Sequence, residues 1–269
     1  MSKNKEQSIC IITQYFPPDL NGDVIRLLNV IRSLKKFRIK VKVVAAFPHY
    51  PNGRIPQRYR GRLLRREKWD DVEVIRTFVL PLPHKGFINR LLLYLSFSFS
   101  VMITIPIVKR VTTVWAFSQK LFSYIPGLVF KLLYKSQLVL DVTDIWPEAM
   151  VNTGYVNSKN FSFKLIRLLF KFFYKISDQI VTLTDSMRKM IISTGADPSK
   201  VIIIPNVVNV KVVKPRNVSK QEFDGRFVVM YSGNIGPNYD FKTLLDAAAK
   251  LRNMEDILFV IRGSGEMDN

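Results

Sequence analysis

Short, mainly apolar runs alternate with longer amphipathic stretches along most of the chain, and this alternation constrains the fold more than any other feature. Runs such as 8–13 (SICIIT), 137–142 (QLVLDV) and 201–205 (VIIIP) have the length and composition of buried strands. The stretches between them carry apolar residues three and four positions apart, which is the spacing of a helix that covers a sheet. Such alternation predicts βαβ units, and therefore an α/β fold with a parallel sheet and helices on both faces.

A further strand–helix series starts late in the chain, at residues 227–251 (FVVMYSGNIGPNYDFKTLLDAAAKL). The apolar strand 227–231 runs into the turn 232–237, and an amphipathic helix follows. Such a turn brings backbone N–H groups close to an anion at the positive end of a helix. A connection that binds nothing has the same pattern. The sequence therefore predicts either a phosphate-binding turn or a plain strand–helix connection.

A polar, lysine-rich stretch separates the two series and indicates a domain boundary. We predict a first domain at residues 1–206, a linker at 207–226 and the start of a second domain at 227–269. The last segment has room for a strand–helix–strand unit only, so the second domain is expected to be incomplete in this sequence.

The chain is strongly basic, with 41 Lys and Arg residues against 21 Asp and Glu residues and a net charge of +20. This excess predicts anionic partners: nucleic acid, an acidic membrane or phosphorylated ligands. No nucleic-acid recognition motif accompanies the charge, so nucleic acid is not expected as a partner. The single cysteine, Cys10, lies in an apolar strand, which predicts a buried thiol and a reducing, cytosolic compartment.

Residues 91–108 (LLLYLSFSFSVMITIPIV) contain no charged side chain and reach the lower limit of length for a membrane span. Three serines and one threonine dilute the apolar run, and Pro106 interrupts its end. Strands that should share one sheet flank it on both sides. These features favour a helix that lies in or against the membrane surface over one that crosses it.

A second candidate membrane segment is the helix predicted at 161–176 (FSFKLIRLLFKFFYKI). Its basic residues recur at intervals of three and four and form a stripe, which comprises Lys164, Arg167, Lys171 and Lys175. Basic amphipathic helices bind anionic membrane surfaces. A core-packing helix with a solvated basic face has the same pattern. Together the two segments predict peripheral association with the cytoplasmic, inner face of the cell membrane.

Candidate functional residues lie in loops that follow strands, where ligands bind in open α/β sheets. Gly22 would let a ligand approach the backbone, and His49 is one of only two histidines. Asp144 and Glu148 follow strand 137–142 and suit acid–base work or hydroxyl binding. Each also has a purely structural interpretation. His49 could make a structural hydrogen bond, and Asp144 could cap the N-terminus of a helix. The negative charge of Glu148 could interact favourably with the positive N-terminal end of that helix.

The motifs of several common enzyme classes do not occur in this sequence. There is no metal-ligand spacing, no Walker A loop, no GxSxG and no GxGxxG near the N-terminus. Hydride transfer, P-loop hydrolysis and serine hydrolysis therefore have no support, and no metal or cofactor is expected.

Six segments, in matching order and spacing, resemble the retaining glycosyltransferases of family 4. The nearest branch elongates lipid-linked polysaccharide precursors and includes the fucosyl-N-acetylamine and colanic-acid type transferases. The segments are 14–26 (QYFPPDLNGDVIR), 47–53 (FPHYPNG), 140–148 (LDVTDIWPE), 201–206 (VIIIPN), 231–236 (YSGNIG) and 259–266 (FVIRGSGE).

The resemblance implies a GT-B architecture, in which two Rossmann-like domains hold the acceptor and the nucleotide sugar. It implies metal-independent transfer of a sugar from a nucleotide-sugar donor to a lipid-linked acceptor. Asp144 and His49 would be catalytic, and Gly22 and Glu148 would lie on the acceptor side. The implied donor-binding residues are Gly233, Asn234, Gly236, Gly263, Gly265 and Glu266.

The sequence departs from the family pattern in the second domain. It ends before the paired glutamates that hold the donor in this family, and Val207 and Asn209 stand where Gly and Asp are usual. Three alternatives stay open. The chain is an inactive glycosyltransferase, its activity needs a second polypeptide that completes the donor domain, or it is a non-catalytic, membrane-associated binding subunit that derives from a glycosyltransferase.

Overall fold

The computed structural model divides the chain into two compact units. Residues 1–151 and 155–207 form unit 1, and residues 152–154 and 208–269 form unit 2. The residues that the structure describes are 7–50, 52–83, 86–117, 121–146, 148, 160–208, 210, 213, 223, 225–236 and 239–265.

Unit 1 is built around an eight-stranded sheet that alternates with helices along the chain. In chain order its elements are β1 (Ser8–Thr13), α1 (Gly22–Lys36), β2 (Lys40–Ala46), β3 (Leu64–Trp69), β4 (Val72–Thr77), α2 (Phe87–Val108), β5 (Thr113–Ala116), α3 (Leu121–Tyr134), β6 (Gln137–Val142), α4 (Phe161–Ile176), β7 (Gln179–Thr182), α5 (Asp185–Ser193) and β8 (Val201–Ile203). The strand order is β3-β4-β2-β1-β5-β6-β7-β8, and every neighbouring pair except β3–β4 is parallel. The α/β class with a predominantly parallel sheet is confirmed.

The sequence patterns did not predict the edge strand β3. β3 pairs antiparallel with β4, in register from Leu64 opposite Thr77 to Trp69 opposite Val72. Its sequence, LRREKW, is mostly charged and gives no apolar strand signal. Edge strands tolerate such charges because one of their sides faces solvent, and charges there also block pairing with other chains.

The two faces of the sheet alternate along each strand, and each is covered by helices. Ile11 and Val43 point to the face that α1 covers. Their neighbours Ile12 and Val44 point to the opposite face, where α2, α3 and α4 pack. Cys10 shares that second face and is fully buried, and burial raises the pKa of its thiol to about 12. Its expected place in the core is confirmed.

The long apolar helix α2 has two different faces. One face enters the core, where Leu93, Phe97, Val101 and Ile105 are at most 4% exposed. Four apolar residues on the other face lie at solvent; they are Ile88, Leu92, Phe99 and Ile103, with exposed fractions from 42% to 69%. Within the described residues, this is the one helix long and apolar enough to cross a membrane, and 44% of its apolar stretch is buried inside the protein.

Two serines within α2 bind the segment that follows β4. The hydroxyl of Ser96 accepts a hydrogen bond from the Leu80 amide at 3.0 Å. The hydroxyl of Ser100 donates to the carbonyl of Phe78. The serines that weaken the apolar character of α2 in the sequence therefore connect it to the sheet, a role that a lipid-facing position would not provide.

Unit 2 contains a strand–helix–strand unit in its described residues. Its elements are β9 (Phe227–Asn234), α6 (Phe241–Lys250) and β10 (Ile257–Ser264), and the two strands are parallel. β9 runs three residues beyond the predicted strand end at Tyr231, so Ser232, Gly233 and Asn234 belong to the strand and not to the turn. Gly233 lies opposite Gly263 in this extension, and a Cβ on Gly263 would lie 1.9 Å from the Gly233 carbonyl oxygen.

Candidate functional site

The candidate site of unit 1 is the edge of the sheet where the parallel strands end. The loops that begin after β1, β2, β6 and β8 all leave from this edge, since parallel strands present their carboxyl ends together. Gln14, His49 and Asp144 lie in the first three of these loops, and Asn206 lies in the fourth. These residues thus share one edge of the sheet, although only β1 and β2 among these four strands are neighbours.

Asp19, in the loop after β1, is hydrogen-bonded to the loop after β2. Its carboxylate accepts hydrogen bonds from the backbone N–H groups of His49, at 3.2 Å, and Tyr50, at 3.3 Å. Burial raises the pKa of Asp19 to about 6, against the lowering effect of these two hydrogen bonds and of Arg76. Sequence analysis missed Asp19, although its place in the segment 14–26 was a usable signal.

His49 is 2% exposed and lies against Tyr15, with ring centroids 5.5 Å apart. Its Nδ1 lies 2.7 Å from the carbonyl oxygen of Phe47, which can only accept, so Nδ1 carries a proton. Its Nε2 lies 3.4 Å from Nε2 of the Gln14 amide, which can donate to it. The imidazole therefore has a defined orientation at the site edge.

Asp19 gives a testable pH dependence of stability. Its folded pKa of about 6 lies above the ordinary value of 3.8, so between these values the folded state holds the proton more tightly. The free energy of unfolding should therefore fall by roughly 1–3 kcal/mol as the pH rises from about 4 to 6. Asp141 shifts in the same direction. Urea denaturation at several pH values measures how steeply the free energy of unfolding falls with pH, and Asp19→Asn should make this fall less steep. An unchanged pH dependence in the variant would contradict the assignment to Asp19.

Arg26 forms a buried polar centre that sequence analysis did not single out. Its Nε and Nη2 donate to the two carboxylate oxygens of Asp141, each at 3.3 Å, and both side chains are at most 4% exposed. Nη1 donates to the carbonyls of Ile204, at 2.9 Å, and Pro205, at 3.4 Å, and to Oδ1 of Asn206, at 3.3 Å. Arg26 thus joins α1, the end of β6 and the chain that leaves β8.

Arg76 plays a corresponding part between the first loop and the edge of the sheet. Its Nε lies 2.6 Å from Glu67 Oε1, and Nη1 donates to the carbonyl of Ala46 at 3.1 Å. Nη2 donates to the carbonyl of Pro17. Arg76 is 1% exposed, and an arginine inside the apolar run VEVIRT was the signal that could have identified it.

The three other predicted residues of unit 1 differ in their surroundings. Gly22 is exposed and is the first residue of α1, whose N-terminus is capped by the side chain of Asn21. Asp144 is exposed, in the turn after β6. Glu148 is half-buried, and its charge adds to the effect of burial in raising the pKa of Tyr174 in α4.

The glycines predicted to bind the donor lie at the ends of β9 and β10. A Cβ on Gly263 would lie 1.9 Å from the Gly233 carbonyl oxygen, and one on Gly265 would lie 2.1 Å from that of Ile235. Gly233 and the neighbouring Asn234 are exposed, whereas Gly236 is buried. Backbone packing therefore requires Gly263 and Gly265, whatever their role in binding. Glu266 lies outside the described residues.

Replacing Gly263 by alanine should disrupt the end of the β9–β10 pair. The added methyl group overlaps a backbone carbonyl that cannot move without breaking the register, so we expect a loss of about 1–3 kcal/mol in local stability. Hydrogen exchange of the β9 and β10 amides measures it directly. Gly22→Ala is the matched control, since no heavy atom lies within 4 Å of its added Cβ. Equal protection in both variants would contradict the packing role.

In the part of the chain that the structure describes, no three His, Cys, Asp or Glu side chains gather closely enough to hold a metal ion. The functional groups described in unit 1 are two buried arginines, one imidazole and four carboxylates, which belong to Asp19, Asp141, Asp144 and Glu148. Such a set can bind hydroxyl groups and anions.

Comparison with known proteins shows similarity to bacterial glycosyltransferases. No family model matches the chain. It is 28% identical to the probable glycosyltransferase WbjE of Pseudomonas aeruginosa over 135 residues, which cover 48% of this chain and 34% of WbjE. It is 26% identical over 93% of its length to the putative colanic acid biosynthesis glycosyl transferase WcaI of Escherichia coli K12, and spans 64% of that protein.

Solved structures share the fold at low sequence identity. Anabaena Alr3699/HepE in complex with UDP-glucose matches 96% of this chain with a TM-score of 0.59 and 12% identity, over 60% of its own length. Sucrose-phosphate synthase from Thermosynechococcus elongatus matches 95% of the chain with a TM-score of 0.63 and 11% identity, over 70% of its length. The chain is thus similar in sequence to two proteins named as glycosyltransferases and shares its fold with HepE and this sucrose-phosphate synthase.

Proposed function

We propose that this chain is a retaining glycosyltransferase that moves a sugar from a nucleotide-sugar donor to a lipid-linked acceptor. The observation that carries the proposal is the similarity to WcaI, which extends over 93% of the chain and therefore includes both units. The fold that the chain shares with HepE, solved with UDP-glucose, supports a nucleotide-sugar donor. No metal takes part in this scheme; backbone N–H groups stabilise the departing diphosphate.

In the proposed site, the residues of unit 1 hold the acceptor and the reacting groups. Asp144 is exposed in the turn after β6 and would act on a substrate hydroxyl. His49 is buried, with Nδ1 at the Phe47 carbonyl and Nε2 at the Gln14 amide, so in this scheme Nε2 meets substrate only if the Gln14 amide moves aside. In unit 2, the exposed backbone of Gly233 and Asn234 would approach the donor diphosphate, beside the end of β10.

Saturation-transfer NMR with UDP-glucose and UDP-N-acetylglucosamine tests the donor assignment on the purified chain. We expect magnetic saturation to pass from the protein to the uridine protons of the donor, and we expect added UDP to reduce this signal by competition. Asn234→Asp should weaken binding at least several-fold, because it adds a negative charge at an exposed position beside the proposed diphosphate site. Asp246→Asn on exposed α6 is the control. Absence of signal with these donors, and with GDP-linked and dTDP-linked sugars, would overturn the donor assignment.

The substitution Gly22→Ala tests the acceptor side of the proposed site. Since no atom lies within 4 Å of an added Cβ, Gly22→Ala should leave the unfolding free energy within about 0.5 kcal/mol of the parent. A bound acceptor that approaches this backbone would meet the new methyl group, so the KM for acceptor should rise with little change in KM for donor. Unchanged acceptor kinetics would remove Gly22 from the binding site.

We also propose that unit 1 rests on the cytoplasmic face of an anionic membrane through α2 and α4. Outward-facing apolar residues of α4 lie opposite its buried face; they are Phe161, Leu165, Leu168, Leu169 and Phe172, with exposed fractions from 37% to 79%. The basic stripe adjoins this apolar surface, and all four of its residues are exposed. An apolar face flanked by cations is suited to an anionic bilayer surface.

A peripheral position for α2 agrees better with its packing than a span does. Crossing a membrane would pull its buried face out of the sheet core, and the core residues Leu93, Phe97 and Val101 would lose their partners. Each such side chain contributes about 1.5–3 kcal/mol when buried. The exposed apolar residues of α2, which begin at Ile88, can enter the membrane surface while the core residues keep their packing partners.

Vesicle co-sedimentation tests this surface. Replacing Lys164, Arg167 and Lys171 by Glu should abolish most binding to vesicles that contain anionic lipid, and high salt should weaken binding by the parent protein. The control replaces Lys242, Lys250 and Arg252 of unit 2, which are exposed and carry the same total charge. Equal losses in both triple variants would indicate a nonspecific charge effect and contradict the proposed surface.

A further inference from the structure

Gln14 is a buried polar side chain of the candidate site to which neither the motifs nor the comparisons assign a role. It follows β1 directly, at the edge where the parallel strands end, and it is 2% exposed. Its amide nitrogen lies 3.4 Å from Nε2 of His49, which is equally buried. A buried amide at this place controls which nitrogen of the imidazole carries a proton.

The other ring nitrogen of His49 faces two acceptors. Its Nδ1 lies 2.7 Å from the Phe47 carbonyl oxygen and 3.9 Å from Oδ2 of Asp19. Burial raises the pKa of Asp19 to about 6, so this carboxylate is mostly ionised at neutral pH. Both neighbours require the proton on Nδ1. The negative charge of Asp19 also favours a second proton on the ring, because it stabilises an imidazolium cation.

The Gln14 amide opposes that second proton. An amide N–H that donates to Nε2 needs the lone pair of this nitrogen, and its hydrogen takes the place that a proton on Nε2 would occupy. The ring is therefore neutral, with Nδ1 as a donor and Nε2 as an acceptor. In this state Nε2 can accept a hydrogen bond from a hydroxyl group but cannot donate one to a phosphate oxygen.

The contacts of the two ring nitrogens differ in length. The contact between Nδ1 and the Phe47 carbonyl is short, whereas 3.4 Å between Nε2 and Gln14 exceeds the usual range of about 2.7–3.2 Å for hydrogen bonds from N–H groups. Tyr15 packs on the face of the ring, with centroids 5.5 Å apart. The ring and its Nδ1 are thus firmly held, and the contact from Gln14 is the one that another donor can replace.

We propose that Gln14 is a positioning residue of the transfer site: its amide keeps His49 neutral with Nε2 as an acceptor, and it moves aside when a substrate hydroxyl donates to that nitrogen. The inference rests on the proposed function and specifies the group that His49 receives, which is a hydroxyl and not a phosphate oxygen. Burial of both side chains makes the exchange necessary, because substrate cannot reach Nε2 while the amide covers it.

Nitrogen-15 NMR of the full chain at neutral pH tests the state of the ring. The chain has two histidines, and the signals that disappear in His49→Gln belong to His49. We expect one protonated nitrogen, Nδ1, and an Nε2 signal shifted upfield by the hydrogen bond that it accepts. Gln14→Met preserves the volume but removes the donor, so the Nε2 signal should move downfield. Gln137→Met, an exposed glutamine at the opposite edge of the sheet, is the matched control and should leave both signals in place.

Gln14→Ala tests the exchange with small probes. It removes the amide from beside Nε2, and methanol, which can donate a hydrogen bond, should return the Nε2 signal toward its parental position. Acetonitrile has a similar size but no donor, so it should not have this effect. Equal effects of the two probes would reveal a general solvent effect and contradict a hydroxyl site. If the alanine variant loses its fold, Gln14→Met still tests the contact.

Kinetics separate positioning from packing. The acceptor substrate no longer has to displace a donor in Gln14→Met, so its KM should fall about threefold, the effect of one weak hydrogen bond, while kcat stays within about twofold of the parent. Gln137→Met should leave both constants unchanged. A contribution to packing alone would lower stability without lowering this KM. Initial rates of transfer from UDP-glucose to a lipid-linked acceptor provide both constants.

Three results would overturn the inference. The first is a protonated Nε2 in the parent, with or without a proton on Nδ1. The second is an Nε2 signal that is identical in the parent and in Gln14→Met. The third is an unchanged or higher KM for acceptor in Gln14→Met at parental stability. Absence of nucleotide-sugar binding by the parent would contradict the proposed function instead, and the NMR measurements would still decide whether Gln14 holds Nε2 as an exchangeable acceptor.

Discussion

Replacing Asp141 by leucine should lower the free energy of unfolding of unit 1 by about 3–5 kcal/mol. The Arg26 guanidinium would keep its hydrogen bonds to Ile204, Pro205 and Asn206 but would lose its counter-ion in a site where it is 4% exposed. A buried charge without a partner is the costly outcome, because water cannot reach it. Urea denaturation followed by circular dichroism measures this loss.

The double variant Arg26→Met with Asp141→Leu is the informative control. It removes both charges and fills a similar volume, and replacing a buried ion pair in this way is often neutral or stabilising. We expect it to recover much of the loss seen with Asp141→Leu alone. If the single variant were as stable as the parent, the pair would not be a stabilising centre of unit 1. If the double variant were as unstable as the single, the loss would come from packing.

The double variant should still affect function. Arg26 holds the chain as it leaves β8, so its replacement frees three backbone and side-chain contacts at the end of unit 1. We expect a stable protein with weakened transfer, because the reacting groups must be held closely to react. Parental turnover in a stable double variant would show that Arg26 serves stability alone.

Substitutions at Asp144 and His49 should have the largest effects on activity. If Asp144 acts on the reacting hydroxyl, Asp144→Asn should lower kcat about 10²–10⁴-fold, with little change in stability, because its side chain is exposed. Asp197→Asn, an exposed carboxylate before β8 and so at the opposite edge of the sheet, is the matched control. Initial rates of transfer from UDP-glucose to a lipid-linked acceptor measure both.

His49→Ala should differ from Asp144→Asn. The imidazole is 2% exposed and packs on Tyr15, so its removal should reduce stability as well as turnover. His49→Gln keeps a donor near the Phe47 carbonyl and separates the two effects. A low kcat in a stably folded His49→Gln variant would indicate participation in transfer. Full activity in that variant would leave His49 a purely structural role.

The sequence by itself determined the features that depend on neighbours along the chain. Strand and helix patterns identified the parallel sheet, and the bounds predicted for 161–176 agree with helix α4. Strand–loop order also placed the loops of His49 and Asp144 at one edge, because parallel strands end together. The β3 strand was missed since its charged residues give no local signal.

Only the tertiary structure decided which distant residues meet. Arg26 and Asp141 are 115 positions apart, and neither carries a local pattern that names its partner. The sequence also did not distinguish the buried face of α2 from its exposed face, because apolar residues occur on all sides of this helix. Only packing against the sheet decides which of them are buried. Contacts of this kind depend on topology, which residue spacing does not encode.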